Sequence, residues 1–505
     1  MLQGDNAQPS SRSDASSETV STIVLAAGEG TRMRSATPKM LHRLAGRPLV
    51  EHAVRAAAGV DPDALLVVLG HGRDAVAEHL TGLAEVLGRP VRTAVQKEQL
   101  GTGHAVSCGL SELSADLTGT VLVSYGDVPL LDSDTLRSLL AEHRGAGNAV
   151  TVLTAVVDEP TGYGRMLRDA EGRVTGIVEQ KDATPEQAEI TEINSGVYAF
   201  DAEVLTDALQ RLSTDNAQGE LYLTDVLSIA RRDGRPVGSL ICADPWLVEG
   251  VNDRVQLAHL GAELNRRLLL SWMRAGVTIT DPNSVWLDCD VVLDRDVVLE
   301  PGVQLRGGTT VGEGATVGPD TTLTGCAIHP GASVARTHGE NAEVGPGAQV
   351  GPFAFLRPGT RLGANGKIGT FVETKNAVIG EGTKVPHLSY VGDATIGEQS
   401  NIGAATVFVN YDGVAKHHTV IGSHARTGAD NMFVAPVKIG DGAYTAAGSV
   451  ITEDVPPGAM AVARGRQRNV EGWVAERRSG TAADQAAQQA LAKAEQTTNP
   501  TSDAQ

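Results

Sequence analysis

Aromatic side chains are scarce in this sequence: Phe, Trp and Tyr make up 3% of 505 residues, against 58 glycines. Large rings therefore fill little of its interior, and small aliphatic side chains must do so. Cysteine is scarce as well. Cys108, Cys242, Cys289 and Cys326 are scattered and form no C-x-x-C pair, which argues against a zinc knuckle or a dithiol motif. Scattered thiols suit a reducing compartment. No apolar stretch is long enough to cross a bilayer. Residues 1–20 are rich in Ser, Asp and Gln and lack the apolar centre of a signal peptide, so a disordered tail is expected there. There is no long Lys/Arg run, and the net charge is −19. Such a field repels nucleic acid but leaves room for local cationic sites that take phosphorylated small molecules. The expectation is a soluble cytoplasmic protein that partners neither nucleic acid nor membrane.

The hydrophobic fraction, 41%, is ordinary for a globular chain, and the length suggests two or three domains. From about residue 21 to 250, short apolar runs alternate with amphipathic stretches. Ile23–Ala27, Leu65–Leu69 and Val121–Ser124 read as buried parallel strands. Pro48 is placed to open a helix at its first position, with Leu49, Val50, Ala53 and Val54 on the apolar face. This alternation predicts an α/β doubly wound, Rossmann-like domain. Over residues 251–277 the pattern becomes one long arm helix, with Leu257, Leu260, Leu264 and Leu268 three and four apart.

From about residue 280 an aliphatic residue recurs at every sixth position: Leu287, Leu293, Leu299, Leu305, Val311, Val317 and Leu323. The series resumes at Val344, Val350, Leu356, Leu362 and Ile368, then at Ile379, Val385 and Val391, and at Ile396 and Ile402. Ile421, Phe433, Ile439 and Ile451 form a last run. A period of six fits neither a helix nor an alternating strand. It fits a parallel β-helix of hexapeptide repeats over 278–472, each repeat pointing one aliphatic side chain into a narrow interior. Breaks at about 326–343 and 406–419 are expected to be loops that leave the coil, where function collects on a repeat scaffold. Residues 473–505 read as a mostly disordered tail with room for a short helix.

The first apolar run ends in Gly28-Glu29-Gly30-Thr31-Arg32-Met33. Glycines after a strand let backbone N–H groups approach phosphate. Met33 breaks the dinucleotide fingerprint, and the GK[ST] of a P-loop is missing. Arg32 and Lys39 nonetheless put two cations near one anion-binding turn; the alternative is a tight turn with surface charges. Val121–Ser124 leads to Tyr125-Gly126-Asp127-Val128-Pro129. An Asp beyond the carboxyl end of such a strand is a natural Mg²⁺ ligand, the alternative being a cap for the helix near Asp132.

Leu25-Ala26-Ala27-Gly28-x-Gly30-Thr31-Arg32-Met33 followed by Thr37-Pro38-Lys39 resembles the signature of sugar-1-phosphate nucleotidyltransferases. Gln96-x-x-Gln99-Leu100-Gly101-Thr102-Gly103-His104-Ala105, Gly126-Asp127-Val128-Pro129 and Gly162-Tyr163-Gly164-Arg165 are closer still. They resemble the bifunctional bacterial N-acetylglucosamine-1-phosphate uridylyltransferase / glucosamine-1-phosphate N-acetyltransferase family, over roughly residues 20–470. The resemblance implies a left-handed β-helix and two reactions that make UDP-N-acetylglucosamine, a precursor of peptidoglycan and cell envelope. It implies that Ala26, Ala27, Gly28, Gln96, Gly101 and Thr102 hold the uracil and ribose of UTP. It gives Arg32 and Lys39 to the phosphates, and Asp127 and Asn252 to Mg²⁺. Gly164, Glu179 and Asn194, with Asn252, hold N-acetylglucosamine 1-phosphate. Both reactants are anions, so cations and metal must offset their repulsion and hold them in line.

Between residues 353 and 419 the hexads carry an unusual load of polar groups: Arg357, Glu373, Lys375, His387, Tyr390 and Asn401, then Asn410, Tyr411 and Lys416. Acetyl transfer from a thioester to an amine needs a base, and histidine's pKa suits His387 to that role. A carboxylate such as Glu373 suits orientation of the ring, and Arg357, Lys375 and Lys416 suit a grip on phosphate. The plain alternative is a polar histidine on a coil face. The resemblance implies the same roles, with Tyr390 and Asn401 as further substrate contacts. For acetyl-CoA it implies Ala404, Asn410, Tyr411, Ala447 and Arg464, and a trimer whose acetyl sites are shared between chains. One position departs: Gly428-Ala429-Asp430 stands where the family usually has Gly-Ser-Asp, so Ala429 lacks a hydroxyl near the thioester, which predicts weaker acetyl transfer. Two other readings are a single-activity nucleotidyltransferase with a structural β-helix, and a non-catalytic module, which the presence of Arg32, Lys39, Asp127 and Asn252 opposes.

Overall fold

The computed structural model describes residues 19–113 and 117–498. The expected N-terminal tail lies outside the described residues as far as residue 18. Contacts group the chain into two compact units divided between Asn376 and Ala377, inside the repeat segment.

In the first unit, strand Val20–Ala26 lies between Thr120–Tyr125 and Ala64–Leu69 and runs parallel to both. The three apolar runs read as buried parallel strands are therefore neighbours. Because successive side chains point to opposite faces, Ile23 and Leu25 pack with helices Thr102–Leu110 and Ala202–Gln210. Val24 and Ala26 pack with helices Leu49–Ala58 and Arg73–Leu87 on the other side. Both faces are covered, as a doubly wound sheet requires. Strand Glu192–Asp201 runs antiparallel between Thr120–Tyr125 and Val150–Val156, a reversal that the alternation of elements does not reveal. Pro48 sits one position earlier than expected, just outside helix Leu49–Ala58, while Leu49, Val50, Ala53 and Val54 are all buried.

The arm helix spans Arg254–Arg274 and is capped by Asp253, which accepts from the backbone N–H groups of Val255 and Gln256. Leu257, Leu260 and Leu264 pack with Met33, Leu44 and Leu49. Asn265, buried on the same helix, donates to the Val285 carbonyl (2.8 Å) and accepts from the Leu287 N–H (3.0 Å).

The repeats form a parallel β-helix. Leu287 pairs with Leu305, Leu293 with Val311 and Leu299 with Val317, so three hexads make one turn of the coil. The aliphatic residues named above for this unit are buried. The break at 326–343 is not a loop. Its strands Ala327–Ile328, Ser333–Val334 and Thr337–Glu340 stay in the ladder. The turns there are shorter, so Val311 pairs with Ile328 and Leu323 with Gly339, which slips the six-residue phase. Gly339 also takes an inward slot with no side chain: a Cβ there would meet Leu323 Cδ2 at 2.8 Å.

In the second unit the ladder pairs Ile396 with Ile421, then Ile421 with Ile439. The first step is seven residues longer than a regular turn, so here the expected loop does leave the coil; Val414 at its tip is 91% exposed. Phe408 and Phe433 meet inside the coil at 5.3 Å. The tail expected to be mostly disordered instead carries helices Trp473–Arg477 and Ala482–Thr498. Alanine's high helix propensity accounts for the second, and Asp484 closes its first turn by accepting from the Gly480 N–H (2.9 Å). Among the described residues no helix is long and apolar enough to cross a membrane.

Candidate active sites

The chain leaves strand Val20–Ala26 through Ala27 and Gly28 and turns at Gly30, whose φ is +67°. A Cβ on Gly30 would lie 2.5 Å from the Lys39 Cβ, so only glycine lets Lys39 pack there. Thr31–Met33 forms one 3₁₀ turn that buries Met33 and leaves Arg32 exposed. Lys39 opens a second such turn, with its side chain only 8% exposed. Asp127 follows strand Thr120–Tyr125, and its carbonyl accepts from the Val251 N–H (2.8 Å), which brings Asn252 alongside.

These four residues form one network. Lys39 Nζ lies 2.5 Å from Asp127 Oδ2 and donates to Asn252 Oδ1 at 3.1 Å. Arg32 Nη2 donates to the same oxygen at 2.9 Å. The helix-capping alternative for Asp127 is filled by Asp132, which accepts from the Thr135 N–H at the start of helix Ser133–Gly145. Among the described residues no cluster of three His, Cys, Asp or Glu side chains suits a metal. Asp127 and Asn252 offer one carboxylate and one amide oxygen, and both already converge on one cation, the Lys39 ammonium. Hard oxygen donors of this number suit Mg²⁺, whose other positions go to phosphate and water.

Gln96 is buried, donates to the Gly101 carbonyl (3.0 Å) and lies 3.2 Å from His104 Nδ1. Gln99, a motif residue given no role from sequence, donates to the Ala27 carbonyl at 2.6 Å and so ties this loop to the end of the first strand. Thr102 accepts from the Leu223 N–H (3.0 Å).

Beside the network lies a cleft of about 250 Å³ lined by Thr102, Tyr125, Asp127, Gly164, Glu179, Asn194 and Asn252. Asn194 Oδ1 accepts from the Tyr198 hydroxyl at 2.9 Å. Glu179 accepts from Thr224 Oγ1 at 3.2 Å, a partner with no signal in the sequence motifs. Burial pushes the Glu179 carboxyl above its usual range, the Thr224 bond opposes that, and Asp182, Asp225 and Glu220 add to it. A larger cavity of about 1120 Å³ opens between the arm helix and the first coil and is lined by none of the expected site residues.

The expected acetyl-site residues fall in both units. In the first, Arg357 Nη1 donates to Glu373 Oε1 at 2.9 Å, so the carboxylate expected to orient a histidine is held by a guanidinium. Lys375 lies two positions along the strand that starts at Glu373, on the same face.

In the second unit, His387 ends strand Lys384–His387 and is exposed. Its carbonyl accepts from Ser389 Oγ (2.7 Å) and the Ala405 N–H (3.2 Å). Asn410 is buried and bridges two groups, donating to Asp393 Oδ2 (2.5 Å) and the Tyr390 hydroxyl (3.4 Å). Asp393 escapes a reading of motifs because its partner is seventeen residues away. The loop that leaves the coil is held by a bridge between Tyr411 and Lys416 and by Asp412. Asp412 accepts from the Ala415 N–H (2.7 Å), His417 Nε2 (2.6 Å) and the Val414 N–H (2.8 Å), which together hold its carboxyl well below the usual range. Asn401 lies between Lys384 and Arg426 on successive coils.

Ala404, Ala429 and Ala447 belong to turns that stack on one another. Asp430 N–H donates to the Ala404 carbonyl (2.7 Å) and Gly448 N–H to the Ala429 carbonyl (2.9 Å). Gly403 and Gly428 make the close approach possible: a Cβ on Gly403 would lie 2.1 Å from the Gly428 carbonyl oxygen. Ala429, Ala447 and Arg464 are exposed.

Two families match segments of the chain: a MobA-like NTP transferase domain over residues 22–189, and the bacterial transferase hexapeptide (six repeats) over residues 418–453. Curated relatives match almost its whole length. "Bifunctional protein GlmU" of Corynebacterium efficiens is 60% identical over 477 residues, 94% of this chain and 97% of that relative. The protein of the same name from Mycobacterium sp. (strain KMS) is 59% identical over 482 residues, 95% of this chain and 97% of the relative. That of Kineococcus radiotolerans is 62% identical over 469 residues, 93% and 94%.

Proposed function

The chain belongs to the bifunctional GlmU family, and on that premise we propose how its residues divide two reactions. The enzyme N-acetylates glucosamine 1-phosphate with acetyl-CoA, then transfers uridylyl from UTP to N-acetylglucosamine 1-phosphate with release of pyrophosphate. The product, UDP-N-acetylglucosamine, serves cell wall synthesis.

Uridylyl transfer belongs to residues 21–250. The sugar phosphate lies in the cleft of Gly164, Glu179 and Asn194, and the nucleotide lies over Gly28, with Ala26, Ala27, Gln96, Gly101 and Thr102 around uracil and ribose. A phosphate oxygen of the sugar attacks the α-phosphorus of UTP, and the bond to the pyrophosphate oxygen breaks. No covalent enzyme intermediate is needed. Arg32 and Lys39 neutralise the phosphates and hold them in line, which supplies the larger part of catalysis when two anions react. Asp127 and Asn252 would hold Mg²⁺, which supplies charge neutralisation at the transferring phosphate when bound. The observation that carries this reading is the chain of contacts from Arg32 through Asn252 and Lys39 to Asp127, of which Asn252 and Asp127 also line the sugar cleft.

Acetyl transfer belongs to residues 278–472. The sugar amine attacks the thioester carbonyl, His387 takes its proton, and coenzyme A leaves as the thiol. Histidine titrates near neutrality and is the natural base there. Arg357, Lys375 and Lys416 grip the sugar phosphate, and Tyr390 and Asn401 contact the sugar. Glu373 orders Arg357. Asn410, Tyr411, Ala404, Ala429, Ala447 and Arg464 contact acetyl-CoA. Residues 251–277 join the two parts.

A homotrimer is the proposed assembly. Phe353 and Phe371 support it: both have φ of +58°, their rings stack at 5.3 Å, and they are 52% and 58% exposed. Bulky side chains held in the left-handed region and left to water call for a covering partner. The cytoplasm is the proposed compartment, since UTP and acetyl-CoA are found there; four free cysteines agree with it.

Two assays on one preparation test the division. His387→Ala should abolish thiol release from acetyl-CoA with glucosamine 1-phosphate and leave pyrophosphate release from UTP intact. Undiminished thiol release by the variant would remove His387 from the chemistry.

A further inference from the structure

We propose that Lys39 is an exchangeable cation, standing where the metal binds until nucleotide phosphate draws it away. The inference rests on the reading above that Asp127 and Asn252 hold Mg²⁺.

The resting site pairs residues that the reaction must separate. Both phosphate cations, Arg32 and Lys39, are engaged with the metal donors, and both oxygens that would hold the metal are engaged with those cations. Lys39 and Asp127 have only 8% and 17% of their side chains exposed. A carboxylate so enclosed is costly to leave without a cation, so Lys39 keeps it neutralised while the site is empty of ligands. One position between Asp127 and Asn252 cannot hold an ammonium and a divalent ion together, because like charges a few ångströms apart repel strongly in a partly buried site. Lysine suits such a swap. Its stem packs along Gly30 as far as Cδ, so the compact charge at its end swings on the last bonds alone.

A nucleotide arriving over Gly28 offers Lys39 and Arg32 a new anion and brings its own oxygens to the metal. Each ligand then removes an obstacle to the other, which is positive coupling and acts equally in both directions. Metal alone binds weakly, nucleotide alone binds weakly, and the two enter together. The metal therefore arrives with phosphate to hold and does not lodge in the empty site.

The test is Mn²⁺ binding followed by electron paramagnetic resonance, without and with UTP, on the full-length enzyme and its variants. Acetyl transfer and thermal melting of each variant check that the chain is folded. Without nucleotide, Lys39→Met should bind Mn²⁺ on the order of tenfold more tightly than wild type, the usual size of such couplings. Lys39→Arg, which keeps a cation in place, should retain weak binding. UTP should tighten Mn²⁺ binding far more in wild type than in Lys39→Met. If Lys39→Met binds no more tightly while Asp127→Asn abolishes binding, the exchange is wrong and the metal reading stands. If Lys39→Arg tightens as Lys39→Met does, charge is not the cause and the exchange is wrong. If Asp127→Asn leaves Mn²⁺ binding unchanged, the metal reading itself fails.

Discussion

Replacing Gly30 by alanine should disable one reaction and spare the other. The residue has φ of +67°, and for an L side chain that region costs roughly 1–2 kcal/mol. The added methyl would sit 2.5 Å from the Lys39 Cβ, against a comfortable carbon separation of about 3.5–4.0 Å. Lys39 must retreat by about 1 Å at its root, where the stem cannot bend away. Its ammonium is then displaced from the place where it reaches the nucleotide phosphate. A charge-assisted hydrogen bond is worth about 1.5–3 kcal/mol. At about 1.4 kcal/mol per factor of ten, uridylyl transfer should lose roughly 10- to 100-fold in kcat/KM. The assay is pyrophosphate release with UTP, N-acetylglucosamine 1-phosphate and Mg²⁺, with thiol release from acetyl-CoA as the internal control. Gly28→Ala is the contrast. Its Cβ meets nothing within 4 Å and its φ is ordinary, so that variant should fold and melt like wild type and raise only the KM for UTP. Full uridylyl activity in Gly30→Ala would refute the placement of Lys39.

Two further outcomes are expected. Ala429→Ser restores a hydroxyl on an exposed turn; one neutral hydrogen bond, about 1 kcal/mol, should raise acetyl transfer roughly fivefold, and thiol release equal to wild type would make the departure silent. Glu179 has its carboxyl raised mainly by burial, so the folded chain holds that proton more tightly than the unfolded one. The stability it contributes is complete below the unfolded pKa and is lost as pH rises through the raised folded value. Glu179→Gln should therefore melt level with wild type near about pH 4 and higher than wild type near about pH 8. The same variant should bind N-acetylglucosamine 1-phosphate less tightly, and equal melting at both pH values would remove the burial argument.

Much of the fold is legible because its periods are strict. A six-residue aliphatic repeat has one structural solution, and Leu287, Leu305 and Leu323 stack as that solution requires. The reading failed at 326–343 because a shortened turn and a gap in the pattern look alike in sequence: Gly339 fills an inward slot without an aliphatic side chain. The antiparallel course of Glu192–Asp201 was hidden because a strand's direction leaves no mark on its composition. The helix Ala482–Thr498 was legible only in part, because an Ala- and Gln-rich segment is low in complexity yet strongly helix-forming. In the first site, motifs supplied Arg32, Lys39, Asp127 and Asn252 one by one. Their union spans more than two hundred residues of chain, which no local pattern encodes. For the same reason the bond from Asn410 to Asp393 and that from Thr224 to Glu179 had to be seen in three dimensions.

Asn265 has a consequence for how these molecules meet. Any stack of coils has a first rung whose outward backbone groups lack a neighbour, and such a rung is a template on which a foreign strand can grow. The Val285 carbonyl and the Leu287 N–H are those groups, and the Asn265 amide meets both with the donor and acceptor that a further peptide unit would present. The arm helix thus closes this edge of the first rung, at Val285 and Leu287, to the addition of a foreign strand.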